Sequence, residues 1–359
     1  MHSTHNFKIR NQNFRIFDNN VNYQKKKRKE NYMIINNIPE FLSDHQSCNH
    51  TPGVLPKCRR IIAIGDLHGD FQAMQQALIR AKIIDIDNNW IGEDSIVVQV
   101  GDVLDGGGRG HEIDSNGNNS LAEIQIFHFL YKLNVAARSS NGRVISLIGN
   151  HELMNMLGDF RYVSNSHKSG LGGDVKRKEL FKPGGKLAKK IACNSLACVK
   201  IGDWIFIHGG ILPEHIESLQ QENISNNKNF SPINEINNLV RNILYGTINL
   251  DTIKPYQKKL LFGKNGLFWT REYSQGEFND DDEKCHKITN TLKMLGVSGN
   301  NGGIVVGHTP QKTINDVCSK KIWRIDTGMS QAFGQKNNIT DRIEILEIVN
   351  NGENFNVLR

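Results

Sequence analysis

The chain has 359 residues, a formal net charge of +7, 38% hydrophobic residues and six cysteines. This composition can build a hydrophobic core, but no stretch approaches the ~20 consecutive apolar residues that cross a bilayer, so we expect no membrane association. The cysteines form no C-x-x-C pair and the N-terminus has no secretory apolar run, which predicts thiols in a reducing compartment, the cytoplasm or the nucleus, without a disulfide framework.

Residues 1–57 form a basic, asparagine-rich extension that we expect to be disordered. Residues 1–60 carry 11 Lys and Arg against 4 Asp and Glu, an excess that equals the net charge of the whole chain. The rest of the chain is therefore neutral, and its folded part is not expected to bind nucleic acid. For the run KKKRK at 25–29 we favour a solvated charge run, with a signal for import factors or polyanions as the alternative.

The segment 58–350 is predicted to be one folded domain that begins with alternating strands and helices. Short β-branched runs predict strands and apolar residues at helical spacing predict amphipathic helices. In chain order they are the strand RIIAIGD, the helix FQAMQQALIRA (71–81), the strand SIVVQVGD, the helix LAEIQIFHFLYKL (121–133) and the strand RVISLIGN (143–150), with a further helix from about His151. This alternation indicates a layered α/β fold.

The second half of the domain has a different pattern. A hairpin is predicted around Gly202-Asp203 in ACVKIGDWIFIHGG, and later runs are expected to continue as antiparallel strands. These runs are GGIVVGHTP, KKIWRIDTG and DRIEILEIV, and helices are expected at 231–244 and 284–295. The predicted fold class is α/β (α+β), with two mixed β-sheets packed face to face and flanked by helices.

Five short stretches place metal-binding side chains directly after predicted strands. They are GDLHG (65–69), GDVLDGG (101–107), GNHE (149–152), HGG (208–210) and GHTP (307–310). Loops at strand ends on a rigid sheet are common positions for catalytic groups, and the glycines permit tight turns and close approach to a ligand. Each stretch is a weak signal alone, but the five together, in order, indicate a metal site.

The predicted ligands combine oxygen and imidazole donors, which suit Mn, Fe or Zn better than Ca or Mg. They are Asp66, His68, Asp102, Asn150, His208 and His308. Six ligands are too many for one tetrahedral zinc but fit two divalent transition metal ions that share a bridge, for which Asp102 is the candidate. Such a pair can clamp a phosphate and generate a hydroxide nucleophile near neutral pH.

The order of these motifs resembles that of the calcineurin-like metallophosphoesterases, in particular the phosphoprotein phosphatases, over roughly residues 60–330. The resemblance implies that Asp66 and His68 bind the first metal, Asp102 bridges, and the other three ligands bind the second metal. It also implies that His151 protonates the leaving alkoxide and that Asp105 orients His151. Further stretches resemble the Shewanella-like protein phosphatases. They are GNHELMNMLGDFRYV, LFWTREYS, GHTPQ and IDTGMS.

One position departs from the family's core motif, which has an arginine directly after the second aspartate, where this chain has Gly106. Three arginines are candidates for binding the phosphate instead. Arg161 and Arg271 are favoured because they lie in stretches that match the Shewanella-like branch. Arg109 lies in the same loop as Gly106, three residues later, on a glycine-rich segment that can bend.

The predicted function is therefore a dinuclear-metal phosphatase that acts on phosphoproteins, with phosphoserine or phosphothreonine as the default substrate and phosphotyrosine as an option. One alternative is a dinucleoside polyphosphate hydrolase that uses the same site. The other is a catalytically impaired module that only binds phosphoproteins, for which Gly106 is the sole support.

Overall fold

The computed structural model describes Cys48, residues 50–109, His111, and residues 120–222, 230–297, 301–334 and 342–359. Most of the predicted N-terminal extension, with the basic run at 25–29, lies outside the described residues. The α-helices in this part of the chain are α1 (Phe71–Arg80), α2 (Ala122–Ala137), α3 (Asn150–Leu157), α4 (Asn165–Gly170), α5 (Asp174–Phe181), α6 (Lys186–Asn194), α7 (Pro213–Glu222), α8 (Pro232–Tyr245), α9 (Pro255–Phe262) and α10 (Glu283–Met294).

The strands form two six-stranded sheets. They are β1 (Val54–Leu55), β2 (Arg60–Ile64), β3 (Ile96–Gln99), β4 (Arg143–Leu147), β5 (Ser195–Leu196), β6 (Cys198–Ile201), β7 (Trp204–Ile207), β8 (Gly303–Val306), β9 (Asn315–Val317), β10 (Ile322–Arg324), β11 (Ile345–Val349) and β12 (Asn354–Leu358). The first sheet has the order β1-β6-β7-β8-β10-β9 and the second β12-β11-β2-β3-β4-β5. Strands β1 and β12 therefore lie outside the predicted domain limits of 58 and 350.

The two sheets share one hydrophobic core. Side chains of the second sheet, such as Val98 and Leu147, pack in the same buried cluster as Phe206 and Val305 of the first sheet. Helices α2 and α8 contact β4 and β6, so each sheet also has helices packed against it. This arrangement is the predicted α/β fold with two mixed sheets flanked by helices.

The direction of the later strands differs from the prediction. The hairpin at Gly202-Asp203 is present, because β6 and β7 pair in antiparallel register. Strand β8, however, is parallel to both β7 and β10, where we expected an antiparallel strand. The chain enters β8 after the helical segment from α7 to α10, and such a long crossover allows parallel pairing, whereas a tight hairpin does not. Strand β11 is antiparallel, but it joins the second sheet beside β2.

The cysteines also differ from the prediction. Cys48 is bonded to Cys193 and Cys285 to Cys318, with Cα–Cα distances of 5.4 and 5.2 Å. The absence of a C-x-x-C pattern could not reveal these bridges, because both join residues far apart in the chain. Cys58 and Cys198 have free thiols, and burial raises the pKa of the Cys58 thiol to about 11.

Titration of thiols before and after reduction tests whether these two disulfide bridges form. The protein unfolded without a reductant should present two reactive thiols, and reduction should release four more. Removal of the bridge across 33 residues by Cys285→Ser with Cys318→Ser should lower the free energy of unfolding by about 3–4 kcal/mol, as measured by denaturant titration. Six reactive thiols before reduction would instead support the expectation from the sequence.

Within the described residues, none of the helices combines the length and the apolar character of a membrane-spanning segment.

Candidate active site

Three parallel strands of the second sheet deliver the first group of predicted ligands. Asp66 and His68 follow β2, Asp102 follows β3, and Asn150 begins α3 after β4. Because β2, β3 and β4 are parallel, their carboxyl ends lie at the same side of the sheet. All four side chains are at least 95% buried, with exposed fractions of 1–4%.

The first sheet delivers the two remaining predicted ligands from β7 and β8, which are also parallel to each other. His208 Nε2 lies 2.9 Å from Asn150 Oδ1 and 3.2 Å from Asp102 Oδ2, so the two sheets meet at this point. The carboxylate of Asp66 accepts the backbone N–H of His308 at 3.1 Å. The structure thus brings all six predicted ligands together.

Two overlapping groups of ligand atoms share Asp102. One combines Asp102 with His208 and His308, and the other combines it with His68 and His151, with the ligand atoms of each group within 4.8 Å of one another. In the second group, His68 Nε2 and His151 Nε2 lie 3.9 and 3.8 Å from Asp102 Oδ2. A carboxylate common to two groups is the arrangement that a bridging ligand requires.

Three of the histidines have the hydrogen bonds of metal ligands. In each, one ring nitrogen faces a backbone carbonyl, and the other is left to face the cluster. The pairs are His68 Nδ1 with Leu104 O at 3.0 Å, His208 Nδ1 with Val100 O at 3.1 Å and His308 Nε2 with Trp269 O at 3.2 Å. Such outer bonds fix the ring and its tautomer in metal sites. Burial, and then the neighbouring His208, lower the pKa of His308 to about 3, which keeps it neutral as a ligand must be.

Bound cations would compensate the charge of the buried carboxylates. Asp66, Asp102 and Asp326 are 1–2% exposed. Burial, followed by the charges of Asp326 and Asp102, raises the pKa of Asp66 well above its ordinary value, and burial raises that of Asp326 to about 6. Like charges in a low-dielectric site are costly unless a positive charge compensates them. The donor set and its charge therefore fit divalent metal ions.

Four residues of the site have a backbone conformation that is rare outside glycine. The φ angles are 42° for His68, 54° for Asp102, 75° for Asp105 and 67° for His308. Left-handed conformations of non-glycine residues cost of order 1–3 kcal/mol each and persist where the surrounding structure enforces them, which is common at functional sites. Three of these residues are predicted ligands and the fourth, Asp105, contacts His151, although nine other described non-glycine residues also have a positive φ.

Glu152 enforces the conformation of the loop after β3. Its carboxylate accepts four backbone N–H groups, from Gly149 at 2.7 Å and from the loop residues Asp102, Val103 and Leu104 at 3.0, 2.9 and 3.1 Å. The approach of α3 to this loop also requires a glycine, because a Cβ atom at position 149 would collide with the Asp102 carboxylate. The last residue of GNHE thus holds the loop that carries Asp102.

His151 and Asp105 form a hydrogen-bonded pair beside the ligand cluster. His151 Nδ1 lies 2.6 Å from Asp105 Oδ2, and the Asn155 side-chain amide donates to Asp105 Oδ1 at 2.7 Å. Burial alone would lower the pKa of His151, but the charges of Asp102 and Asp105 outweigh this effect and raise it. The pair has the geometry of an acid whose ring is oriented by a carboxylate.

Arg109 reaches back over the glycine-rich segment into this site. Its Nη2 lies 3.1 Å from His151 Nε2, and its Nη1 donates to the carbonyls of Asp105 and Gly107 at 2.9 and 3.1 Å. The guanidinium carbon lies 4.9 Å from the ring centroids of both Tyr162 and Phe333, so the group is held between two aromatic rings. A guanidinium in this position can bind a phosphate next to His151.

The other two candidate arginines lie differently. Arg161 pairs with Asp159 at 2.7 Å, and its side chain is 68% exposed. Arg271 is exposed and lies two residues after Trp269, whose carbonyl is 3.2 Å from His308 Nε2. The preference drawn from sequence therefore changes, and Arg109 becomes the first candidate for phosphate binding, with Arg271 second.

Several buried polar residues of the site were not predicted as functional. They are Glu123, Glu152, Asn155, Arg177 and Asp326. Glu152 and Asp326 lie in stretches that resemble the Shewanella-like branch, so the sequence could have indicated that they are functional. Glu123 lies in the predicted helix 121–133, where a charged residue is expected to face solvent, and no local pattern marks Arg177.

Comparisons with known proteins identify the family of this chain. The sequence model of the calcineurin-like phosphoesterase family matches residues 59–312. Shewanella-like protein phosphatase 2 of Arabidopsis thaliana is 31% identical over 319 residues, which cover 77% of this chain and 72% of the relative. Shewanella-like protein phosphatase 1 of Plasmodium berghei is also 31% identical and covers 76% of this chain and 67% of the relative.

A solved structure has the same fold. The cold-active protein-tyrosine phosphatase of a psychrophilic Shewanella species superposes with a TM-score of 0.63, at 23% identity, over 86% of this chain and 83% of its own. The family match covers the segment with all five motifs, and the relatives at 31% identity extend beyond it. The chain therefore belongs to the calcineurin-like phosphoesterases and, within them, to the Shewanella-like protein phosphatases.

Proposed function

We propose that this phosphatase hydrolyses phosphomonoesters on proteins at a centre of two divalent transition metal ions. The observation that supports the proposal most directly is the position of Asp102, whose carboxylate belongs to two groups of ligand atoms, one of which includes His151. Such a pair of ions, when bound, activates water for attack on phosphorus and stabilises the charge on the phosphoryl oxygens.

The protein's own residues bind the phosphoryl group and supply the proton. Arg109 holds the phosphoryl group, because its Nη2 is a donor beside His151 Nε2. His151 gives a proton to the leaving oxygen through Nε2, since Nδ1 is engaged with Asp105. Asp105 keeps the ring in this orientation and stabilises its positive charge.

Phosphoserine and phosphothreonine are the proposed substrates. An alkoxide leaving group is strongly basic and needs a proton in the transition state, and a histidine whose pKa is raised supplies it. A phenolate leaves more easily and depends less on this proton. Phosphotyrosine remains the competing substrate because the solved relative with a TM-score of 0.63 is called a protein-tyrosine phosphatase.

An assay of the metal-loaded protein tests the proposal. Rates should be compared on para-nitrophenyl phosphate, on peptides with phosphoserine, phosphothreonine or phosphotyrosine, and on diadenosine tetraphosphate. We expect hydrolysis of the phosphopeptides with the serine and threonine forms fastest. Preference for the dinucleotide would replace the proposal by the polyphosphate hydrolase, and binding of phosphopeptides without turnover would identify an impaired module.

His151→Gln is expected to leave the metal content intact and to lower kcat on a phosphoserine peptide by about 10²–10⁴-fold, because the proton donor is lost. On para-nitrophenyl phosphate, whose leaving group needs little protonation, the loss should be less than about tenfold. The ratio of the two rates, with metal analysis of the same sample, is the measurement. Equal losses on both substrates would contradict the role of general acid.

A further inference from the structure

A buried cluster of charged groups lies directly behind Asp105. It consists of Arg177 from α5, Glu123 from α2, Asn155 from α3 and the aspartate itself, and all of them are at most 2% exposed. His167 is 1% exposed, and its Nδ1 lies 3.1 Å from Glu123 Oε1. Four helices thus contribute polar groups to the far side of the His151–Asp105 pair.

Arg177 is at the centre of the contacts in this cluster. Its Nη1 donates to Glu123 Oε2 at 2.8 Å, and its Nε donates to Asn155 Oδ1 at 2.7 Å. Asn155 then donates from its Nδ2 to Asp105 Oδ1 at 2.7 Å, and the Asp105 backbone N–H donates to Glu123 Oε1 at 2.7 Å. Arg177 therefore reaches Asp105 by two routes, one through the amide and one through the second carboxylate.

The third guanidinium nitrogen of Arg177, Nη2, faces Asp105 directly. Arg177 Nη2 has no hydrogen-bond partner among the described residues, and the carboxylate oxygen paired with it is Asp105 Oδ1 at 3.7 Å. The rings of Phe160 and Phe181 lie 5.7 and 4.9 Å from the guanidinium carbon. They leave little freedom for the side chain to turn away from the two carboxylates.

Burial of a guanidinium costs free energy, so the buried position of Arg177 points to a function other than stability. A fully buried guanidinium loses several kcal/mol of hydration, and apolar residues of similar volume would often give equal or greater stability. The contacts of Arg177 instead converge on one carboxylate that faces a catalytic histidine. In active sites, partners behind the reacting groups fix the orientation of those groups to within a fraction of an ångström.

We propose that Arg177 is a positioning residue, which holds the Asp105 carboxylate through Asn155 and Glu123 so that Asp105 keeps the His151 ring aligned for proton donation. The inference rests on the proposed function. Within the described residues, the polar contacts of Arg177 are with Glu123, Asn155 and Asp105, so it acts through these neighbours. Loss of Arg177 should therefore affect the substrates that need a proton much more than those that do not.

The first test compares Arg177→Met with wild type on two substrates. For a folded variant with unchanged metal content, kcat on a phosphoserine peptide should fall on the order of tenfold further than kcat on para-nitrophenyl phosphate. Arg177→Lys keeps the charge without the planar fork and should recover part of this difference. The matched control is Lys176→Met, since Lys176 precedes Arg177 on α5, is exposed and, within the described residues, pairs with Glu179 at 2.8 Å.

A second measurement does not depend on turnover. The Nδ1–H proton of His151, in its 2.6 Å hydrogen bond to Asp105, should give a downfield NMR resonance in wild type and in Lys176→Met. In Arg177→Met this resonance should shift or disappear. If that variant does not fold, Asn155→Leu takes its place, because it removes the hydrogen bond between Asn155 and Asp105 Oδ1.

Equal losses on both substrates, or an unshifted His151 resonance in a folded variant, would overturn the positioning role. Absence of turnover by the wild-type protein on every phosphomonoester would instead refute the proposed function. The two failures are distinguishable, because the NMR comparison reports on the His151–Asp105 pair whether or not the protein turns over.

Discussion

Asp102→Asn is expected to lower the metal content from two ions per chain to less than one and to reduce kcat/KM by about 10³-fold or more. Asp102 Oδ2 lies 3.2 Å from His208 Nε2 and 3.9 Å from His68 Nε2, so it contacts both groups of ligands. The amide has nearly the same shape but removes the negative charge that both ions share. Elemental analysis of the purified variant, together with its rate on para-nitrophenyl phosphate, is the measurement.

Asp70→Asn is the matched control for this change. Asp70 is 2% exposed and lies near the site, but it serves as the N-cap of α1, where its Oδ1 accepts the Ala73 N–H at 2.9 Å. Asparagine is an equally good N-cap, but its Nδ2 would face the Gln331 N–H that Asp70 Oδ2 accepts at 2.9 Å, so stability should fall while the metal content should be preserved. A single tightly bound ion in wild type, unchanged by Asp102→Asn, would refute the dinuclear centre.

The ligand cluster could be predicted from the sequence because each ligand directly follows a strand. Strands β2, β3 and β4 are parallel, as are β7 and β8, so topology alone brings the residues after them to one side of the fold. The local runs RIIAI and IVVQ are fully apolar or nearly so, which identifies strands buried on both faces. A short motif that follows a predicted strand therefore also indicates where in the fold its residues lie.

Contacts between distant segments could not be predicted in the same way. Arg177 and Glu123 are 54 residues apart and meet only because α5 packs behind α2 and α3. Their side chains resemble those of solvated helix faces, and only the tertiary structure buries them. The same reason explains the missed bridge between Cys48 and Cys193, which joins positions 145 residues apart.

The position of an arginine in a motif does not by itself show whether its side chain reaches the site. Arg161 lies in a stretch that resembles the Shewanella-like branch, yet it pairs with Asp159 and is 68% exposed. Arg109 lies outside the usual position but returns to His151, because Gly108 adopts a φ of 71° and the Gly107 N–H donates to the Tyr162 carbonyl at 2.9 Å. The path of the loop, and not the spacing in the sequence, determines where the guanidinium lies.

Arg109→Ala is accordingly expected to lower kcat/KM on phosphoserine peptides by about 2–4 kcal/mol of transition-state stabilisation, by analogy with the loss of one oxyanion donor. The affinity for inorganic phosphate as a competitive inhibitor should fall in parallel, and the metal content should not change. Arg161→Ala is the matched control, because Arg161 is an exposed arginine from a neighbouring loop. Severe loss in that control, with Arg109→Ala near wild type, would restore the preference drawn from the sequence.

Gly106→Arg then tests whether the phosphate subsite is already filled. In the wild-type background the new guanidinium would compete with Arg109, which donates to the carbonyls of Asp105 and Gly107 on either side of position 106, so kcat/KM should stay flat or fall. In the Arg109→Ala background the subsite is vacant, and the same substitution should recover a large part of the lost rate. A rise in kcat/KM from Gly106→Arg alone would mean that the subsite is empty in the natural protein, and Arg109 would lose its proposed role.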